Sequence, residues 1–182
     1  MSLLKEQVVL VDEQDNATGT MEKIEAHEKG LLHRAFSVLL FNDKDELLLQ
    51  QRAFNKYHCP GLWTNTCCSH PYADENTLTA AKRRLKEEMG IECSLQKVFD
   101  FIYKAAFDNG LTEHEFDHVF FGRFSGTPVI NPQEVAGWKY LSLNNLKKEM
   151  TQDPESYTPW FKIIIDHTEK GAFIQQLPQL LL

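Results

Sequence analysis

No CxxC pair, no internal repeat, no low-complexity segment and no run near the roughly 20 apolar residues of a membrane helix occur in this chain. Positive charge is also scarce: 19 Lys and Arg against 26 Asp and Glu leave a formal net charge of −7. Each absence excludes something. Without CxxC, a structural zinc knuckle is disfavoured. An acidic chain lacks the basic footprint that displaces counterions from nucleic acid, so no nucleic-acid partner is expected. A small anion stays open, provided cations gather locally or a metal supplies the charge. The first residues, MSLLKEQVVLVDEQ, carry a lysine and an acid within six positions and no long apolar core. They do not read as a secretory signal, so a cytoplasmic protein without disulfides and without a membrane partner is expected.

What is present looks ordinary in bulk. Hydrophobic residues make up 42% and charged residues 25%, as in a soluble globular protein. The 182 residues suit one domain, 1–182, able to bury a proper core. QVVLV (7–11), HRAFSVLLF (33–41) and LLLQQR (47–52) read as strands, with turns at DEQDNATG and NDKDE. Leu78, Ala81, Leu85 and Met89 recur at helical spacing and Gly90 stops the pattern, which predicts a helix over 76–89. SLQKVFDFIYKAAF, EHEFDHVFFGRF and GWKYLSL predict further strands, and a second amphipathic helix is expected from Tyr157 to about Lys170. Strands flanking two or three helices give an α+β sandwich with a mixed sheet. The apolar tail FIQQLPQLLL suits either a short helix or an apolar contact.

Four clusters carry chemistry. WTNTCCSHP sets Cys67 and Cys68 just before His70; adjacent cysteines rarely bridge each other, which leaves a thiol reading. The 76–89 helix crowds Arg83, Arg84, Glu87 and Glu88 outside its apolar stripe. On helix statistics alone these form a solvated face with i,i+4 pairs such as Arg84–Glu88. In TEHEFDH, strand alternation points Glu113 and Glu115 the same way, and paired carboxylates repel unless a cation or a proton intervenes. An exposed strand face is the plain alternative. His27, His33 and His70 lie in separate segments that only a fold could unite. With two carboxylates they would make a reasonable manganese or zinc site.

Glu75, Arg83 and EEMGI (87–91) resemble the Nudix box, G-x5-E-x7-R-E-U-x-E-E-x-G-U, with two departures. Ser69 replaces the first glycine, and Arg84 replaces the first glutamate of R-E-U-x-E-E. A guanidinium there removes an oxygen ligand for magnesium and supplies a bidentate phosphate partner, which suggests a diphosphate held without being cleaved.

Together with TGTMEKIEAH, LHRAFSVLLFN, LLLQQRAFNKYHCPGLWTNTCCSHP, EHE and YTPWF, the sequence resembles type 1 isopentenyl-diphosphate isomerases over residues 5 to 165. The resemblance implies a Nudix-type α/β/α sandwich and an enzyme interconverting isopentenyl and dimethylallyl diphosphate in isoprenoid biosynthesis through a tertiary carbocation. It implies that Cys68 and Glu115 are the two acid–base groups and that Tyr103 hydrogen-bonds beside the acid. His27, His33, His70, Glu113 and Glu115 would hold manganese or zinc. Glu88, with the main-chain carbonyl of Cys68, would hold magnesium on the diphosphate. Lys23, Arg52, Lys56, Arg83 and Arg84 would contact the diphosphate, and Trp160 would lie against the hydrocarbon. Cys67 is expected to pack as a small hydrophobe. The partner is a small-molecule diphosphate, and the protein is expected to be a monomer or weak homodimer. Two rivals remain at this stage: a Nudix hydrolase, which Arg84 opposes, and a binding module, which would have no use for so complete a set of acid–base residues.

Overall fold

In chain order the elements are β1 (Gln7–Val11), β2 (Ala17–Glu22), α1 (Lys23–Lys29), β3 (His33–Phe41), β4 (Glu46–Arg52), β5 (Trp63–Thr64), β6 (Cys67–Ser69), α2 (Thr77–Met89), β7 (Leu95–Ala106), β8 (Thr112–Arg123), β9 (Val135–Ser142), α3 (Leu143–Gln152) and α4 (Pro159–Lys170). The structure is a computed structural model and describes residues 6–107 and 109–171. The expectation for the 173–182 tail lies outside the described residues.

β3 is the hub. All of its residues but Arg34 are buried, as expected of a strand covered on both faces. It pairs in parallel with β8 (His33 opposite Glu115, Ser37 opposite Val119) and antiparallel with β6 (Ser37 opposite Cys68). β7 extends the sheet beyond β8, and β9 beyond β4. The sheet is therefore mixed. One face packs Phe36, Val38, Leu40, Phe120 and Cys67 against Ala80, Ala81, Leu85 and Met89 of α2. The other packs Leu39, Phe41, Val119, Phe121 and Tyr103 against Leu146 of α3 and Trp160, Phe161 and Ile164 of α4. This is the expected α/β/α sandwich.

α2 runs where its periodicity placed it. The Asn76 side chain caps it by accepting from the Leu78 amide at 2.9 Å, and Gly90 ends it at φ 66. Other expectations shift. The turn read over residues 12–19 is shorter: the Asp12 carboxylate accepts from the amides of Gln14 and Asn16, and β2 begins at Ala17. α1, seven residues, and α3, ten residues, bring the described helices to four. α4 starts at Pro159 and not at Tyr157, because proline at the first helical position presets that turn. The Thr158 amide instead donates to the Trp63 carbonyl at 3.0 Å.

Candidate active site

A cavity of about 320 Å³ opens where β3, β6, β8, α1, α2 and the β4–β5 loop meet. Its lining includes Cys68, Tyr103, Glu113, Glu115 and Trp160 together with Lys23, Arg52, Lys56, Arg84 and Glu88. Cys68 and Glu115 sit on the two strands that flank β3.

At one wall, His27, His33, His70 and Glu115 each offer one ligand atom, all within 4.8 Å of one another. The local structure prepares these rings. His27 Nδ1–H donates to the Lys23 carbonyl at 2.6 Å and His33 Nδ1–H donates to the Leu31 carbonyl at 2.8 Å. Both rings thus turn Nε2 toward the cluster, and His33 Nε2 is buried without a hydrogen-bonding partner among the described residues. His70 Nε2 lies 3.0 Å from Glu115 Oε1 and His33 Nε2 3.6 Å from the same oxygen. Burial and the neighbouring rings push His27 down to about 4, so that ring is neutral at pH 7, and burial likewise lowers His70. Three buried imidazoles, two of them anchored through Nδ1 on main-chain carbonyls, and one carboxylate form a donor set that fits a divalent metal ion.

Beside the cluster stand two carboxyls with opposite states. The Tyr103 hydroxyl donates to Glu115 Oε2 at 2.7 Å and lies 3.0 Å from Glu113 Oε2. Burial raises both carboxyls, but contacts with His33 and His70 overcome it for Glu115 and hold that group well below the usual range. For Glu113, burial and the Glu115 charge outweigh Tyr103 and Arg52 and push the group well above the usual range. The Cys68 thiol is also pushed up, first by burial and then by the nearby acids, so it carries its proton at neutral pH.

Each lysine of the lining meets a carboxylate of this chain: Lys23 pairs with Glu6 and Lys56 with Glu134. Arg84 donates to Glu88 Oε1 at 2.6 Å and Glu87 Oε2 at 2.9 Å and lies 3.4 Å from Glu134. Gln50 Nε2 donates to the other oxygen of Glu88 at 2.9 Å. Arg52 lies 5.1 Å from the Trp160 ring centre, over a buried indole.

The NUDIX domain family model matches residues 31–161. The chain is 54% identical over 157 residues to an isopentenyl-diphosphate Delta-isomerase of Pectobacterium atrosepticum, covering 86% of this chain and 88% of the relative. It is 50% identical over 163 residues to isopentenyl-diphosphate Delta-isomerase 2 of Aromatoleum aromaticum, covering 90% and 86%. The chain belongs to the isopentenyl-diphosphate Delta-isomerase family. Among solved structures, a Deinococcus radiodurans protein superposes with a TM-score of 0.75 at 19% identity, covering 89% of this chain and 98% of that one. A MutT protein of Methanosarcina mazei gives 0.63 at 18%, covering 78% and 95%. Both speak to the Nudix fold.

Within this family member, two expected residues stand elsewhere than the sequence suggested. Arg83 does not line the cavity: its guanidinium forks onto Glu75 at 2.8 and 2.7 Å and stacks 4.1 Å from the Tyr72 ring centre. Successive helical residues diverge by about 100°, so only one of Arg83 and Arg84 can face the cavity. Glu113 stands outside the four-residue cluster, its oxygens turned to Tyr103 and His58. The remaining expected residues, Lys23, Arg52, Lys56, Arg84, Glu88, Tyr103, Trp160 and the acid–base pair, border one cavity. Cys67, by contrast, is fully buried between the sheet and α2. Glu6, Gln50, His58 and Glu134 also line the cavity. His58 sits in NKYHC beside Lys56, a polar pair in a loop, and that was the only sequence signal for it.

Proposed function

We propose that this chain interconverts isopentenyl diphosphate and dimethylallyl diphosphate, with Cys68 and Glu115 as the two proton-transfer groups. The observation that carries this is their placement on strands either side of β3, bordering one cavity that Lys23, Arg52, Lys56 and Arg84 also line. Moving the double bond by one carbon needs a proton added at one carbon and another removed elsewhere. Two groups approaching from two sides suit that exchange.

Lys23, Arg52, Lys56 and Arg84 bind the diphosphate, and local cations draw it into an acidic protein. Arg84 takes the place of a magnesium-binding glutamate of the Nudix box, which favours retention of the diphosphate over its hydrolysis. Glu88, with the Cys68 main-chain carbonyl, would hold a magnesium that neutralises diphosphate charge. His27, His33, His70 and Glu115 would hold manganese or zinc, which would supply a fixed positive charge beside the acid–base carboxylate. The Trp160 face stabilises the cationic carbon by about 2 kcal/mol or more in a dry site and offers it no nucleophile. Tyr103 fixes the Glu115 carboxyl. Proton transfer by Cys68 requires no covalent intermediate. We read the protein as a cytoplasmic monomer or weak homodimer. Among the described residues, no helix is long and apolar enough to cross a membrane.

The test is incubation with isopentenyl diphosphate, magnesium and either manganese or zinc in heavy water. Deuterium is expected in both isopentenyl and dimethylallyl diphosphate. A metal-loaded protein that incorporates none, or that instead releases phosphate from nucleoside diphosphates, would sink the isomerase reading.

A further inference from the structure

His58 enters the cavity on the loop between β4 and β5, which is bent by two left-handed residues, Cys59 at φ 47 and Gly61 at φ 75. A cysteine in that region costs about 1 kcal/mol or more, so the surrounding contacts must hold the loop in place. Arg52 Nη2 donates to the His58 carbonyl at 3.2 Å. The ring, its side chain 10% exposed, packs with Tyr57, Trp160 and Phe107 at centroid distances of 4.3, 5.5 and 5.7 Å. Its Nε2 lies 3.2 Å from Glu113 Oε1. Its Nδ1 is buried and meets no hydrogen-bonding partner among the described residues.

From this contact a continuous series runs to the histidine cluster. Glu113 Oε2 lies 3.0 Å from the Tyr103 hydroxyl, which donates to Glu115 Oε2 at 2.7 Å, and Glu115 Oε1 lies 3.0 Å from His70 Nε2. Glu115 is held at both oxygens. Glu113 has Tyr103 on one oxygen and His58 on the other, so without His58 its carboxyl keeps a single anchor. A carboxyl free to turn there changes what the shared Tyr103 hydroxyl can do for Glu115.

We propose that His58 is a positioning residue: through Nε2 it fixes the Glu113 carboxyl and thereby the Tyr103 hydroxyl that Glu113 and Glu115 share. The inference rests on the reading of Glu115 as an acid–base group and goes beyond it, since His58 belongs to none of the roles that reading assigns.

The atom involved gives a sharp test. Glutamine places its amide nitrogen near the position of Nε2, and asparagine near that of Nδ1. His58→Asn and His58→Ala are expected to lower kcat about 10- to 100-fold, the usual cost of losing such an outer partner. KM for isopentenyl diphosphate should stay within about twofold, because each substitution keeps the main-chain carbonyl that Arg52 bonds and alters only a side-chain contact to Glu113. His58→Gln should restore most of kcat. A second readout does not involve turnover. Manganese or zinc should be lost to a chelator faster from His58→Asn and His58→Ala than from the parent protein, and at the parent rate from His58→Gln. A merely space-filling role would treat glutamine and asparagine alike. If alanine prevents folding, the glutamine–asparagine pair carries the test. Parent-like kcat and metal retention in His58→Asn, equal impairment in His58→Gln, or a loss confined to KM would each overturn the proposal. An inactive parent protein fails earlier, overturning the acid–base reading and this inference with it.

Discussion

At positions 67 and 68 one chemical group meets two environments, because a strand sends neighbouring side chains to opposite faces. Cys67 is fully buried against α2, while Cys68 borders the cavity on the other face. Both thiols are pushed up by burial, so neither is a ready nucleophile, and a thiol that keeps its proton suits proton transfer. Cys68→Ala is expected to abolish isomerisation with the fold intact. Cys67→Ala should keep most of the turnover and lose about 1 kcal/mol of stability from the small void it leaves. Rates and urea midpoints of the two variants check this together. Equal loss of turnover in both would show that the assignment of the thiols is wrong. The same alternation was legible in the sequence and settled Cys67 correctly. For the neighbouring arginines the helical period holds the corresponding information: residues 84 and 88 share one side, and residues 83 and 87 another. Both pairs are in contact, and only Arg84–Glu88 faces the cavity.

At the scale of elements, strongly patterned segments could be read from sequence and short ones could not. β3, β8 and α2 carry five or more buried positions each, so apolar pattern and boundary signals agree. α1 has seven residues, too few for a periodicity to emerge, and is set by its ends: the Glu22 side chain accepts from the Glu25 amide, and Gly30 turns at φ 59. Yet it carries Lys23 and His27 one turn apart, which explains why their relation was invisible beforehand. Glu113 illustrates a different limit. Alternation put it on the face of Glu115, but which way a carboxyl turns depends on partners from distant segments, here Tyr103 and His58. α2 supplies a prediction at this scale. Asn76→Ala removes one cap and should cost about 1 kcal/mol. Gly90→Ala should cost more, because φ 66 is strained for any side chain by about 1–2 kcal/mol and the new Cβ would lie 2.6 Å from the Val129 carbonyl oxygen. That neighbour cannot simply move aside: the amides of Val129 and Asn131 donate to the Met89 and Glu88 carbonyls, in the segment that leads to Glu134. Urea unfolding should rank the two losses in this order, and the reverse ranking would refute the strain argument.

Across the whole molecule, the histidine cluster joins parts that are otherwise separate. His27 comes from α1, His33 from β3, His70 from the segment after β6 and Glu115 from β8. These positions span nearly ninety residues of sequence: the parallel pairing of β3 with β8 and the antiparallel pairing with β6 bring His33, His70 and Glu115 together, and the packing of α1 on β8 adds His27. An ion bound there is bound by the folded state alone, so its binding free energy adds to stability. At a free concentration about 100 times Kd the gain is about 2.7 kcal/mol. For a chain of this size each kcal/mol moves the melting temperature by about 2–4 °C. The chelator-treated protein is therefore expected to melt about 5–10 °C below the manganese- or zinc-loaded form. His27→Ala should abolish most of that difference while leaving the chelator-treated melting temperature close to that of the parent, since an alanine in α1 removes a ligand and leaves the sandwich core intact. Thermal melts of both proteins, with chelator and with each metal, measure this directly. A parent melting temperature indifferent to metal would refute the metal centre. A metal response that survives in His27→Ala would place the ion elsewhere.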